Sequence, residues 1–407
     1  MGSRIEIDSS KFSIAPQIFY LRACILRRFI LLNLAFITLL MSTTACGNRN
    51  RAAERLAEGT KEAQKFDSNL TFKNITLEQA NEKGQLLWKV NAEEAVYAKD
   101  KKTATIQKPR GELFQDGQTV FKIEAARSEI KEDGKSILMR GQITATDVRD
   151  GSVLKGKELE WKPAEDVLII RDGFTGDHKQ VQLAAKEGRF LTRARRVDVM
   201  GQIVAQVKEP TMQMRGEKLS WEIQNQKLKS DRPLQVDRYE NKQLTDQGSA
   251  EQTEVDLKAK VVNLRQNARI ALKQSGTQIT GNALNWNIDQ KTLVASEPVT
   301  IVNSAQQVRL TANQAEMQID QQVATLTGNV QGVGEKNGSR LSANRVVWYL
   351  ITQQFQANGN VSYQQNNPPF SIAGPQASGK LDDQQVAVQG SQEGRVELQI
   401  TPQGAGR

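Results

Sequence analysis

The sequence predicts an all-β fold assembled from repeats of roughly 60 residues, and three observations carry that reading. The first is a period marked by tryptophan. Trp88, Trp161, Trp221, Trp286 and Trp348 stand 73, 60, 65 and 62 residues apart. The phrase Gly-x-x-Leu-x-Trp pairs Gly156 with Trp161, Gly216 with Trp221 and Gly281 with Trp286, and Gly84 begins a near version that closes on Trp88. Twelve residues beyond the later four tryptophans stand Gly173, Pro233, Pro298 and Asn360. A second phrase sets alanine sixteen residues before glycine at Ala125 and Gly141, Ala185 and Gly201, and Ala312 and Gly328; Ala250 and Gln266 keep the spacing without the glycine. Self-similarity at a fixed period is the mark of a repeat architecture.

The second observation is alternation. Apolar side chains fall on every other residue at Leu86, Trp88, Val90 and Ala92, at Phe121, Ile123 and Ala125, at Ile137, Met139, Gly141, Ile143 and Ala145, and at Ala324, Leu326, Gly328 and Val330. A period of two means strands with one buried face and one wet face. The third observation is the turn dipeptides Asp116-Gly117, Asp133-Gly134, Asp150-Gly151, Asp172-Gly173 and Asn337-Gly338. These supply the positive φ that tight hairpins need. Many short, evenly spaced strands read as a sandwich, barrel or solenoid.

Taken in order, residues 1–28 are polar and end in Arg22, Arg27 and Arg28. Residues 29–47 follow as a signal or membrane anchor: a 13-residue apolar run from Phe29 to Met41, then Thr43-Thr44-Ala45-Cys46-Gly47. Charge, apolar run and small residues in that order make a secretory signal. The segment can be read in three ways: a bacterial lipobox with Cys46 as the lipidated residue (Thr43 standing where leucine is usual), an uncleaved anchor, or a cleaved signal. The first two leave the arginines cytoplasmic and the rest across the membrane. Residues 48–67 are charged, alanine-rich and without an apolar stripe, which suits a tether. Strand patterning starts at residue 68. Gly141, Gly201 and Gly328 fall in phase with the apolar face, so each marks a bulge that bends the sheet or room for a ligand inside it. Residues 401–407 read as a disordered tail, and the strand before them, at 395–400, reads as a docking edge.

The first unit joins Leu70, Phe72, Ile75, Leu77 and Ala80 to Gly84, Trp88, Val90, Ala92, Ala95 and Tyr97; Phe121-Lys-Ile-Glu-Ala125, Ile137-Leu-Met-Arg-Gly141 and Leu154 to Trp161 follow. In order and spacing this resembles the LptC family, the membrane-anchored periplasmic component of lipopolysaccharide export, over residues 68–200. The resemblance implies a β-jellyroll of two curved antiparallel sheets, open along one side, with acyl chains of the glycolipid in the trough. It implies an inner-membrane ABC transporter as one partner, and periplasmic or outer-membrane bridge proteins joined through edge strands as others. Residues 201–400 continue the repeat and look like the related bridge proteins of the same pathway, making an elongated, fused form. The trough would be lined by Trp88, Val90, Phe121, Ile123, Met139, Ile143, Trp161, Trp221, Trp286 and Trp348.

Other classes fit less well. The net charge of +9 divides into +4 over residues 1–67 and +5 over the remainder, too mild for a nucleic-acid footprint. Two cysteines outside the repeats and one histidine, His178, in a turn-like Gly-Asp-His-Lys, leave no material for a metal cluster or triad, and no cofactor is expected. The acid pairs Glu93-Glu94 and Asp382-Asp383 are strand neighbours pointing to opposite faces, so no enzyme is expected. Aromatic residues are too few for the girdles of a membrane barrel. The competing reading is a structural or adhesive repeat lipoprotein with a filled core.

Overall fold

A computed structural model describes residues 70–99, 102–131, 134–336, 338–366, 369–380, 385–389 and 396–400. Everything described lies in one unit, Ser68–Arg407. Cys24, Cys46, the anchor, the tether and the 401–407 tail lie outside the described residues. Twenty-nine strands join in one antiparallel sheet. The described residues hold no α-helix, only a turn of 3-10 helix at Pro163–Glu165.

The strand Arg196–Val207 shows the plan. Residues 196–200 pair with Glu187–Leu191 on one side and residues 218–222 on the other. Residues 203–207 pair instead with Val181–Ala185 and with residues 212–216. The register slips between Met200 and Ile203, where Gly201 and Gln202 both have positive φ. One long strand thus serves two ladders and turns between them at a bulge. Ser136–Asp147, Val261–Leu272, Val323–Gly334 and Gln354–Asn366 do the same, with the slip at residues 140–143, 265–268, 327–330 and 358–361. Followed strand by strand, the pairings give two ladders that share one fold line. The first layer holds residues 158–161, 218–222, 284–287 and 345–349; the second holds residues 153–156, 212–216, 277–281 and 339–343.

The repeated phrases are the fold line. Lys186, one residue after Ala185, donates its backbone N–H to Gly201 O at 2.9 Å; Asn313 does the same to Gly328 O at 2.9 Å and Glu251 to Gln266 O at 3.0 Å. A Cβ on Gly141 would sit 2.6 Å from Ala126 Cβ at a φ of +100°, which explains glycine there. The glycine of Gly-x-x-Leu-x-Trp faces the residue twelve beyond the tryptophan. Cβ atoms on Gly216 and Gly281 would lie 3.1 and 3.2 Å from the carbonyl oxygens of Pro233 and Pro298. The bulge reading of the strand glycines therefore holds. Gly141 is exposed and Gly201 and Gly328 are half-buried, so they stand at the outer bend and not on the inner face. Asp172-Gly173, expected as a hairpin turn, is likewise a bend inside Val167–Asp177, with φ of 62° and 85°.

Between the layers the alternating apolar residues form one continuous core from Trp88 to Ala377. At some 25 cal/mol per Å² of apolar surface removed from water, this burial is the main stabilising term. Two edges remain unpaired among the described residues. Leu70–Ala80 pairs only with Leu86–Tyr97, and Gln385–Gln389 and Glu397–Ile400 pair only with Pro369–Lys380.

Candidate functional site: the interior and its mouth

All ten residues expected to line a trough are buried between the layers. Trp161, Trp221, Trp286 and Trp348 each occupy the second-to-last position of a long strand in the first layer. Each lies beside the turn that closes that strand, on the side away from the fold line. Trp88 does not share this frame. It pairs with Leu113 in the second layer, and its indole N–H donates to Gln79 Oε1 at 2.7 Å. The near-match in sequence hid a change of layer. Val90, Phe121, Ile123 and Ile143 belong to the second layer and Met139 to the first, so both walls contribute.

The interior is filled mainly by these apolar side chains. Its cavities are small: about 40 Å³ beside Phe121, His178 and Trp221, and about 30 Å³ beside Leu310, Trp348 and Tyr363. Each has room for at most a few waters. A larger hollow of about 550 Å³ is lined by polar side chains, Lys218, Lys229, Glu254 and Arg265 among them, and one of about 760 Å³ near the C-terminal edge has Phe355, Phe370 and Val386 in its wall.

Opposite the fold line, the strand-connecting turns of each layer form a lip. Within the first lip, backbone N–H groups of Thr192, Ile223, Leu257, Ile288 and Ile319 donate to the carbonyls of Asp166, Arg195, Gln226, Lys260 and Lys291. The second lip is stitched the same way by Lys208 to Gln180 and Tyr239 to Thr211. What crosses from lip to lip among the described residues is side chain. Gln115 Nε2 donates to Asp166 at 2.9 Å and to Thr192 at 3.2 Å. Arg193 bridges Asp116 at 2.8 Å and Asp166 at 2.7 Å. Arg149 Nη1 donates to Thr192 O at 2.9 Å, and Arg195 pairs with Asp150. Farther along, Gln180 Nε2 donates to Gln226 Oε1 at 2.7 Å, Lys260 meets Glu209 at 3.2 Å, and Gln306 Nε2 donates to Leu350 O at 2.6 Å.

His178, whose turn-like setting in the sequence reads as a surface turn, is only 5% exposed. Its turn folds inward over the mouth. The ring stands edge-on to Trp221 at 4.9 Å, and Nδ1 accepts the Gln180 N–H at 3.1 Å. Burial holds its pKa below the usual histidine range, and the cations Lys179, Arg195 and Lys208 add to this against the opposing pull of Asp150. Burial acts to raise the Asp150 carboxyl, but hydrogen bonds from Ser152 and the charge of Arg195 outweigh it and hold that group low.

Asp116, Asp150 and His178 were read from the sequence as turn residues, but nothing in it marked the mouth residues as meeting. Gln115 and Thr192 are 77 residues apart and belong to no repeated phrase. The signal present, polar residues clustered at turns, is shared by every surface loop. Among the described residues no three His, Cys, Asp or Glu side chains gather as a metal site, and no helix is long and apolar enough to cross a membrane.

The family model for lipopolysaccharide-assembly, LptC-related proteins matches residues 34–168 and 301–397, more than half of the chain. The chain belongs to the LptC-related family. A search of curated proteins finds no match. Two separate segments carry the family pattern. The second falls in the C-terminal repeats, which the sequence alone likened to bridge proteins, so an LptC-like pattern opens the sheet and returns near its end. Membership ties this LptC-related chain to lipopolysaccharide transport and to the cell envelope.

Proposed function

We propose that this LptC-related protein is a non-catalytic periplasmic carrier that holds lipopolysaccharide acyl chains between its two layers and passes them along the ladder. The observation that supports it most is the continuous apolar interior, bounded on one side by a covalent fold line and on the other by lips whose hydrogen bonds and ion pairs to each other, among the described residues, each involve a side chain. Parting the lips exposes apolar walls to a lipid without breaking a strand pairing. Each methylene then buried contributes about 0.8 kcal/mol. A repeated interior offers successive equivalent sites, so a tightly held ligand can still move.

In this reading residues 29–47 anchor the chain in the inner membrane, through Cys46 or as a span. The unpaired edge of Leu70–Ala80 faces an inner-membrane ABC transporter. The edges of Gln385–Gln389 and Glu397–Ile400 accept the next bridge or outer-membrane protein by strand addition. Photocross-linking tests it. Probes at Phe121, Ile143 and Trp161 should capture lipopolysaccharide in cells, and a probe at the outward Lys122 should not. Capture at Lys122 alone would sink the carrier role. A second reading, a structural repeat with a filled core, is favoured by the small interior cavities. It expects no lipid at any inward position.

A further inference from the structure

The indole N–H groups of Trp161, Trp221, Trp286 and Trp348 are buried and have no acceptor among the described residues. Buried indole N–H groups usually find a partner, and leaving a buried donor unmade costs about 1–3 kcal/mol. Four such orphans at the equivalent place in successive repeats form a pattern. Along the first layer, four strand spacings separate each from the next, for example Trp221 to Trp286 through Lys227–Ser230, Gln252–Asp256 and residues 261–265. That is about 19 Å along the ladder at the usual interstrand distance.

Trp88 provides an internal comparison. It lies outside this frame, and there the protein supplies an acceptor, Gln79 Oε1 at 2.7 Å.

We propose that these four indoles are binding-site donors for the ester and amide carbonyl oxygens that join acyl chains to the lipid's headgroup. The assignment rests on the carrier reading above and names the polar contact that reading lacks. The depth fits. Each indole lies just beneath the first lip, where an acyl chain entering through the mouth would begin, its methylenes pointing towards the fold line. The chemistry fits as well. Indole N–H only donates, and a neutral carbonyl is an acceptor that an apolar interior admits without burying a charge. The regular spacing makes the four indoles successive stations that engage the same ligand atoms.

The test replaces each tryptophan in the full-length chain, one at a time, with β-(benzothien-3-yl)alanine, which keeps the fused ring but lacks the N–H. The lipid-free protein should melt at the same or a higher temperature. Its affinity for purified lipopolysaccharide should fall about three- to tenfold per site, the net worth of one hydrogen bond. With ¹⁵N-labelled indoles, the resonances of the four frame tryptophans should shift on adding lipopolysaccharide, and that of Trp88 should not. Unchanged affinity at all four positions, in a protein whose unsubstituted form binds lipopolysaccharide, overturns the donor role alone. So does a lower melting temperature with unchanged affinity, which would mean a structural partner. An unsubstituted protein that binds no lipopolysaccharide overturns the carrier reading and the donor role with it.

Discussion

The fold line and the mouth run along opposite sides of the same layers and are built by different rules. At the fold line the bends are backbone: bulges with positive φ, short carbonyl bonds and glycines facing carbonyl oxygens. The geometry repeats because the backbone requirement repeats. At the mouth the links are side chains of mixed kinds, an arginine fork in one repeat, an amide pair in the next, a lysine in a third. Many are solvent-exposed, and an exposed ion pair is worth about 0–1 kcal/mol. One side is thus made to hold and the other to part.

The largest effect should come from breaking the bend. Gly141→Val places a β-branched side chain at φ +100° with its Cβ 2.6 Å from Ala126 Cβ. Strain and overlap together should cost about 3 kcal/mol, read as a lower denaturation midpoint. A midpoint within error of wild type would show that the bend is not fixed by backbone geometry.

A smaller change of opposite sign is expected at the bend that lacks glycine. Val261–Leu272 bends at Gln266 and Asn267, with φ of 61° and 54° and no glycine. A left-handed non-glycine residue costs about 1–2 kcal/mol, and glycine's freedom in the unfolded chain takes back about 0.5–1 kcal/mol. Gln266→Gly should therefore stabilise by about 0.5–1 kcal/mol in the same denaturation experiment, and a loss would contradict it.

The smallest effect belongs to the mouth and depends on pH. His178 has a lowered folded-state pKa, so the unfolded chain binds the extra proton first. Its contribution to stability is complete above the unfolded value of about 6.5 and is lost as pH falls from there through the lowered folded value. Melting temperature should drop between pH 7 and pH 5, and His178→Gln should flatten that part of the profile. An identical slope in the variant would place the effect elsewhere.

These contrasts explain what the residues disclosed. The period, the all-β class and the inward positions from Trp88 to Trp348 were legible because each reflects a rule that acts on near neighbours: alternation, a bend, a turn. Even so, Trp88 was misassigned to the frame, because a glycine and a tryptophan do not say which layer a strand half has entered. Asp172-Gly173 misled for the same reason, since a bend and a hairpin both ask for positive φ. His178 and the Arg193 fork were illegible. Their partners come from turns tens of residues away, and only the closed fold brings them together.

The constant count of strand spacings between Trp161, Trp221, Trp286 and Trp348 has a consequence for length. Because each interval adds four strand spacings to each layer, the body is a ruler graduated in whole units. A chain gaining or losing one unit changes its reach by about 19 Å while both terminal edges keep their strands. Distance to a partner is thus set by copy number, and the surfaces that meet the partner are free to stay as they are.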